Sequence, residues 1–94
     1  MITIMIRGYL TFKEPVGKRQ VSLPAASSLH DSLAYLRQDI GEQFEAQAYD
    51  QSGELSEHIA VLLNGMHYSH LQDGLLTILK DGDQVAIFPP LAGG

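Results

Sequence analysis

One strong helical pattern lies between segments that alternate like β-strands, and this arrangement limits the folds open to the chain. Leucine or isoleucine recurs at positions 29, 33, 36 and 40, which places these side chains on one helix face. Ser28 is a good N-cap residue, and Asp31 stands three residues later, as in a variant of the capping box. Gly41 is a common residue just after a helix end. The sequence therefore predicts one main helix between Ser28 and Gly41.

Five segments have the alternation or the short apolar runs that are typical of β-strands: residues 2–7, 19–23, 59–63, 66–68 and 84–88. The first two predict an antiparallel hairpin with a long loop, because a turn signal lies between them at 14–17. Asn64-Gly65 is a strong two-residue hairpin signal and joins the third and fourth strands. Gly8, at the end of the first strand, favours a bulge or a close backbone approach.

The order of these elements predicts an α+β fold of the β-grasp type. It has a mixed sheet of about five strands, with one main helix packed on one face. In that arrangement the first and last strands lie parallel at the sheet centre, and both are apolar on more than one face, as is typical of central strands. We expect residues 1–94 to form a single domain with a flexible Gly-Gly tail over 89–94. Residues 42–58 are acidic and predict a surface excursion, anchored by one or two apolar side chains among Phe44, Tyr49 and Leu55, whose local structure the sequence does not determine.

The composition excludes several function classes. The net charge is −5, from six basic and eleven acidic residues, so nucleic acid and membrane surfaces are poor partners. Cysteine is absent, which removes disulfides, thiol nucleophiles and thiolate metal sites. No apolar run approaches the ~20 residues that span a bilayer, and the first residues lack the pattern of a signal peptide. We therefore expect a cytoplasmic protein.

Two clusters of polar residues could suggest an enzyme. His67, His70 and Asp73 are spaced three apart and would share a face if this segment were helical. The hairpin signal just before them argues against that, so no metal site and no cofactor are expected. Ser27, Ser28 and His30 are neighbours in sequence, but adjacency is not the geometry of a catalytic triad. The capping role of Ser28 is the favoured interpretation.

The last strand leads directly into Pro89-Pro90-Leu91-Ala92-Gly93-Gly94. The two prolines favour a stiff, extended segment, so the six residues could reach roughly 15–20 Å from the body. Glycine has no side chain, so Gly93-Gly94 could pass through a narrow channel. The reactive group at the tip would be the carboxylate of Gly94, which is inert until an ATP-using partner converts it to an acyl-adenylate. We expect the chain to deliver its own C-terminus rather than to act as an enzyme.

The sheet face that points away from the helix predicts a partner-binding surface. If isoleucines 2, 4 and 6 face the helix together with Val85 and Ile87, the apolar side chains of four other residues lie on the opposite face: Met5, Leu62, Ala86 and Phe88. No second helix is predicted to cover them, and an uncovered apolar patch marks a partner site. The alternative is that the excursion at 42–58 folds over this patch.

The end of the chain closely resembles the MoaD/ThiS family of ubiquitin-like sulfur carriers. The resemblance rests on LLNG at 62–65 and LKDGDQVAIFPPLAGG at 79–94, whereas residues 1–58 match in element order and apolar pattern. It implies that an E1-like enzyme adenylates Gly94 and that a sulfur donor then forms a thiocarboxylate, which passes its sulfur to a second partner. It also implies partner contacts along the end of the chain: Phe88, Pro90, Leu91, Ala92 and Gly93.

The Phe-Pro-Pro motif at 88–90 is more similar to the small subunit of molybdopterin synthase than to the thiamine-pathway carrier. The implied partners are thus an E1-like enzyme and either the molybdopterin-synthase large subunit or another sulfur-accepting enzyme. Leu91 stands where valine is commoner in the family. Three alternatives stay open: a carrier for thiamine, cysteine or another sulfur metabolite, a ubiquitin-like modifier conjugated through Gly94, and an interaction module without chemistry at its tip.

Overall fold

Five strands form one mixed sheet in the computed structural model, which describes residues 1–90. They are β1 (Ile2–Gly8), β2 (Lys18–Leu23), β3 (Ala60–Leu63), β4 (Met66–His67) and β5 (Gln84–Phe88). The spatial order is β2-β1-β5-β3-β4. β1 and β5 are parallel at the centre, and the other neighbouring pairs are antiparallel. The predicted β-grasp architecture and its central parallel pair are therefore confirmed.

The main helix, α1 (Leu29–Ile40), begins and ends as predicted. The Asp31 N–H donates to Ser28 Oγ at 3.1 Å, and the Ser28 N–H donates to Asp31 Oδ2 at 2.8 Å, which completes the capping box. Gly41 follows with φ of 84°, a conformation that L side chains rarely adopt. The side chains of Leu29, Leu33 and Leu36 are buried against the sheet. Local signals alone thus define this helix correctly.

The acidic stretch at 42–58, whose local structure the sequence left undetermined, contains a second, shorter helix, α2 (Glu42–Ala48), beside the predicted main helix. Phe44 and Ala48 are buried, and the Phe44 ring lies 5.8 Å from the ring of Phe12. Tyr49 and Leu55 are partly buried, so the expected apolar anchoring is confirmed. Phe44 and Ala48 are four residues apart and therefore lie on the same face of α2, and the burial of that face in the core stabilises the helix. It packs beside α1, on the same side of the sheet.

The ends of the strands differ from their predicted positions by at most one residue. The third strand begins at Ala60 rather than at position 59, although Ile59 is still buried. The fourth strand ends at His67, because a 3₁₀ turn occupies Tyr68–His70. A second 3₁₀ turn occupies Gly74–Leu76 in the connection to β5. A third turn, Leu10–Phe12, follows β1. Short elements of this kind commonly shift their ends by one or two residues.

The core lies between the sheet and the two helices. Ile4, Ile6, Val85 and Ile87 are fully or almost fully buried on the α1 side, as the alternation predicts, and Ile2 is partly buried. None of the helices in residues 1–90 has the length and apolar character needed to cross a membrane.

Gly8 makes the close backbone approach that its position predicted. A Cβ at this position would overlap the carbonyl oxygen of Phe12 and lie 2.7 Å from Val16 Cβ. The Gly8 N–H donates to the carbonyl of Gly17 at 2.8 Å. The loop after β1 therefore packs tightly against the end of that strand.

Candidate functional site

The strand that leads to the end of the chain is held firmly in the middle of the sheet. β5 pairs with β1 on one side and with β3 on the other. Its last side chain, Phe88, stacks on Tyr9 with ring centroids 4.3 Å apart and planes 7° from parallel. The Tyr9 N–H also donates to the carbonyl of Ile87 at 3.0 Å. The segment that follows β5 thus starts from a fixed point.

Pro89 is half-buried and Pro90 is exposed, so the chain leaves the body of the protein at these two residues. Leu91, Ala92, Gly93 and Gly94 lie outside the described residues. Their predicted roles in partner binding and in carrying the activated carboxylate stay predictions.

The face of the sheet opposite α1 carries the apolar side chains that the alternation placed there. Met5, Leu62, Ala86 and Phe88 are half-buried and line a shallow pocket of about 430 Å³. We call these four residues the open-face patch. The segment 42–58 does not fold over it, because α2 packs beside α1 on the other side of the sheet. The role of the patch in partner binding stays a prediction.

Two residues beside the open-face patch were missed in the sequence. Tyr9 lines the same pocket and stacks on Phe88, and the Arg7 guanidinium carbon lies 5.0 Å from the centroid of the Tyr9 ring. The alternation that selects Met5 also selects Arg7, two residues later on the same strand face. Tyr9 lies beyond the end of β1, so strand periodicity gives no signal for it.

The polar clusters considered in the sequence have local structural roles. His67 Nδ1 lies 2.9 Å from Ser69 Oγ and accepts the Ser69 N–H at 3.1 Å. Ser27 Oγ donates to the carbonyl of Pro24 at 2.7 Å, and Ser28 caps α1. Among residues 1–90, no three histidine or acidic side chains lie close enough together to hold a metal ion.

The shifted pKa values lie away from the open-face patch and have structural causes. The backbone N–H of Ser28 holds the pKa of the Asp31 carboxyl below its usual value. Hydrogen bonding from the Ser52 side chain lowers the pKa of Asp50 within its turn. Burial raises the pKa of Tyr49, whose ring lies 4.4 Å from the Arg37 guanidinium carbon. These shifts report on a helix cap, a turn and a packed ring rather than on acid–base chemistry.

Comparison with known proteins connects this geometry to a family. A family model described as the ThiS family matches residues 10–94. The small archaeal modifier protein 3 of Haloferax volcanii is 36% identical over 91 residues, which are 95% of this chain and 96% of that protein. A putative sulfur carrier protein of Archaeoglobus fulgidus is 34% identical over 67 residues, covering 71% and 74% of the two chains. The crystal structure of SAMP1 from Haloferax volcanii superposes with a TM-score of 0.82 at 26% identity, covering 98% of this chain and 99% of that one.

Proposed function

The chain belongs to the ThiS family, and we propose that it is a sulfur carrier whose reactive group is the carboxyl group of Gly94. The observation that carries this proposal is the anchoring of β5. This central strand is paired on both sides, ends in a Phe88 ring stacked on Tyr9, and continues into Pro89-Pro90. A fixed strand followed by two prolines gives the following residues a stiff base from which to enter a partner's active site.

The proposed chemistry takes place in two steps on a partner enzyme. A carboxylate oxygen of Gly94 attacks the α-phosphorus of ATP, and pyrophosphate leaves, which gives an acyl-adenylate. A hydrosulfide ion from the sulfur donor then attacks the carbonyl carbon, AMP leaves, and the chain carries a thiocarboxylate. The chain itself supplies Gly93, which has no side chain to obstruct a narrow channel. Since the partner consumes ATP, we place the protein in the cytoplasm.

For the recipient of the sulfur, we propose the large subunit of a molybdopterin synthase. The motif Phe88-Pro89-Pro90 supports this choice, because it resembles the small subunit of that enzyme more than the thiamine-pathway carrier. A carrier that serves thiamine, cysteine or another sulfur metabolite would use the same thiocarboxylate and would differ only in the protein that receives it.

The second candidate function is a ubiquitin-like modifier conjugated through Gly94. It is favoured by the 36% identity to a protein named as a small archaeal modifier. The first step would be the same adenylation. A lysine amine, rather than a sulfur nucleophile, would then attack the carbonyl carbon of Gly94. The activating group leaves, and an isopeptide bond forms.

The experiment that tests the proposal is reconstitution with ATP and an E1-like enzyme from the same genome. We expect ATP-dependent release of pyrophosphate in the presence of the chain ending at Gly94. One alanine added after Gly94, or Gly93→Val, should abolish or strongly slow this release. The matched control carries the added alanine directly after Met1 and should behave like the original chain. Equal release from both alanine variants would contradict the proposal.

The two fates of the activated chain are separated by adding candidate acceptors. Sulfur transfer to a purified molybdopterin-synthase large subunit, with return of Gly94 to a plain carboxylate, supports the carrier function. Lysine peptides that retain the Gly93-Gly94 remnant after proteolysis of cell extracts would support the modifier function.

A further inference from the structure

We propose that one corner of the open sheet face docks an acidic segment of the enzyme that activates Gly94, an inference that rests on the proposed function. The corner consists of Arg7, Tyr9, Leu10, Lys13 and Lys18, which line a pocket of about 330 Å³ together with two glycines. We call these five residues the basic corner. Charge, backbone conformation and position relative to β5 each point to this role.

The distribution of charge is the first observation. The chain has six basic residues and a net charge of −5, yet three of the six line this one pocket, and no acidic side chain lines it. Within the part of the chain that the structure describes, the ion pairs are Arg19 with Asp39 and Arg37 with Glu45. Arg7, Lys13 and Lys18 form none there. The fold therefore gathers half of its basic residues, none of them in these ion pairs, at this one corner.

The register of the sheet makes this concentration of charge unfavourable for the isolated protein. Arg7 on β1 lies directly opposite Lys18 on β2 in the antiparallel pair. Like charges at directly opposed positions destabilise a sheet. A carboxylate supplied by a partner would relieve this repulsion.

Leu10 is the second observation. Its backbone has a φ of 56°, which L side chains rarely adopt, and its side chain is 62% exposed. The fold therefore keeps a leucine in an unfavourable backbone conformation and leaves it in water beside three positive charges. An apolar side chain surrounded by positive charges is complementary to a segment that carries an apolar residue flanked by carboxylates.

The third observation is that the basic corner adjoins the origin of the reactive segment. Tyr9 belongs to the corner and also stacks on Phe88, the last residue of β5. The Tyr9 N–H bonds to the carbonyl of Ile87. A protein bound at the corner would thus lie beside the point where the chain continues into Pro89. We assign the activating enzyme as the protein that binds the basic corner. This enzyme must bind the segment after β5 before any other partner can meet an activated chain.

The test compares two lysine variants with the same change in charge. Lys18→Glu alters the basic corner, and Lys80→Glu alters an exposed lysine in the turn before β5, at the end of that strand away from Phe88. Binding to the purified activating enzyme is measured without ATP by anisotropy of the labelled chain. We expect Lys18→Glu to weaken binding about tenfold or more at low salt, and Lys80→Glu to change it by less than about twofold. The difference should shrink at about 1 M salt, where the screening length falls to roughly 3 Å.

Leu10→Ser tests the apolar part of the corner. We expect it to weaken binding by a factor that does not depend on salt, since it removes no charge. Leu10→Ser should melt close to the original chain because its side chain is exposed, and Lys18→Glu should melt at the same temperature or slightly higher, because it removes the repulsion from Arg7.

Equal affinities of Lys18→Glu and Lys80→Glu, or binding of the original chain that salt does not affect, would overturn the inference. This outcome is distinct from failure of the proposed function. If Lys18-dependent binding occurs but Gly94 is never activated, the proposed function is wrong and the docking surface stands. If Gly94 is activated and both lysine variants have the same KM, the docking inference alone is wrong.

Discussion

Removal of the Phe88 side chain should weaken partner binding while leaving the domain folded. Phe88 stacks on Tyr9 and is half-buried in the open-face patch, so part of its ring remains available to a partner. Phe88→Ala removes this ring but keeps the backbone pairing of β5. The variant therefore separates the docking surface from the fold.

The size of both effects follows from the burial of Phe88. Fully burying a phenylalanine is worth ~1.5–3 kcal/mol, and at most about a third of that surface is left for the partner, which gives about 0.5–1 kcal/mol. A loss of this size lowers affinity about two- to fivefold, since ~1.4 kcal/mol corresponds to tenfold. Within the free domain, the stack on Tyr9 contributes ~0.5–1.5 kcal/mol beyond its buried area. A loss of 1 kcal/mol lowers the Tm of a domain of this size by about 4–8 °C, so the domain stays folded at room temperature.

A second variant and a control make the measurement specific. Met5→Glu places a carboxylate in the open-face patch on β1, opposite the start of β5, and should weaken binding more than Phe88→Ala, because the complex would have to bury an added charge. Tyr35→Ala removes an aromatic ring that is 38% exposed on α1, so it should leave binding unchanged. Affinity is measured by calorimetry with the E1-like enzyme, and folding by thermal denaturation. Unchanged affinity in both patch variants would refute the assignment of this surface.

Four further predictions concern the rest of the chain. Removal of residues 91–94 should lower the Tm by less than about 3 °C, because the buried core is formed by residues 4–87; a large loss in a thermal melt would show that these four residues are structural. The double variant His67→Ala and His70→Ala should retain activation by ATP and nearly the original Tm, since the side-chain hydrogen bonds of His67 among the described residues go only to neighbouring Ser69; stoichiometric zinc that disappears in this variant would contradict the expectation. Ser28→Ala should cost about 1 kcal/mol in urea denaturation, because it removes a helix N-cap; a change below about 0.3 kcal/mol would argue against the capping role. The pKa of Asp31 is lowered in the folded state, so the ionised carboxyl stabilises the fold above the unfolded pKa of about 3.9, and this stabilisation is lost as the pH falls through the folded pKa. Between about pH 5 and pH 2, Asp31→Asn should therefore lose less stability than the original chain. Parallel curves of unfolding free energy against pH would refute this expectation.

The elements that local chemistry determines were predictable from the sequence. The capping box of Ser28 and Asp31 and the glycine at 41 define α1 without reference to the rest of the fold. Asn64 and Gly65 have φ of 51° and 85°, as the two-residue hairpin signal requires. The alternation in β1 and β5 separates the buried face from the open face. Each of these features depends on residues a few positions apart.

The parts that sequence reasoning missed depend on contacts between distant residues. α2 has no side-chain cap, and its Phe44 is buried because Phe12, far away in sequence, completes its packing. The stacking of Tyr9 on Phe88 and the opposition of Arg7 and Lys18 both require the register of β1 with β5 and β2. No local pattern specifies such a register in advance. The basic corner in particular exists only because the loop after β1 folds back on that strand.

The most direct test of the central claim is to locate the chemical change on the chain by mass spectrometry. The chain is incubated with ATP, the E1-like enzyme and a sulfur source, and the intact protein is then fragmented. We expect the mass to rise by the difference between one sulfur and one oxygen, and every fragment that carries this change to contain Gly94. Absence of the change, its location on another residue, or its equal appearance in a chain extended by one alanine would contradict the proposal that Gly94 carries the sulfur.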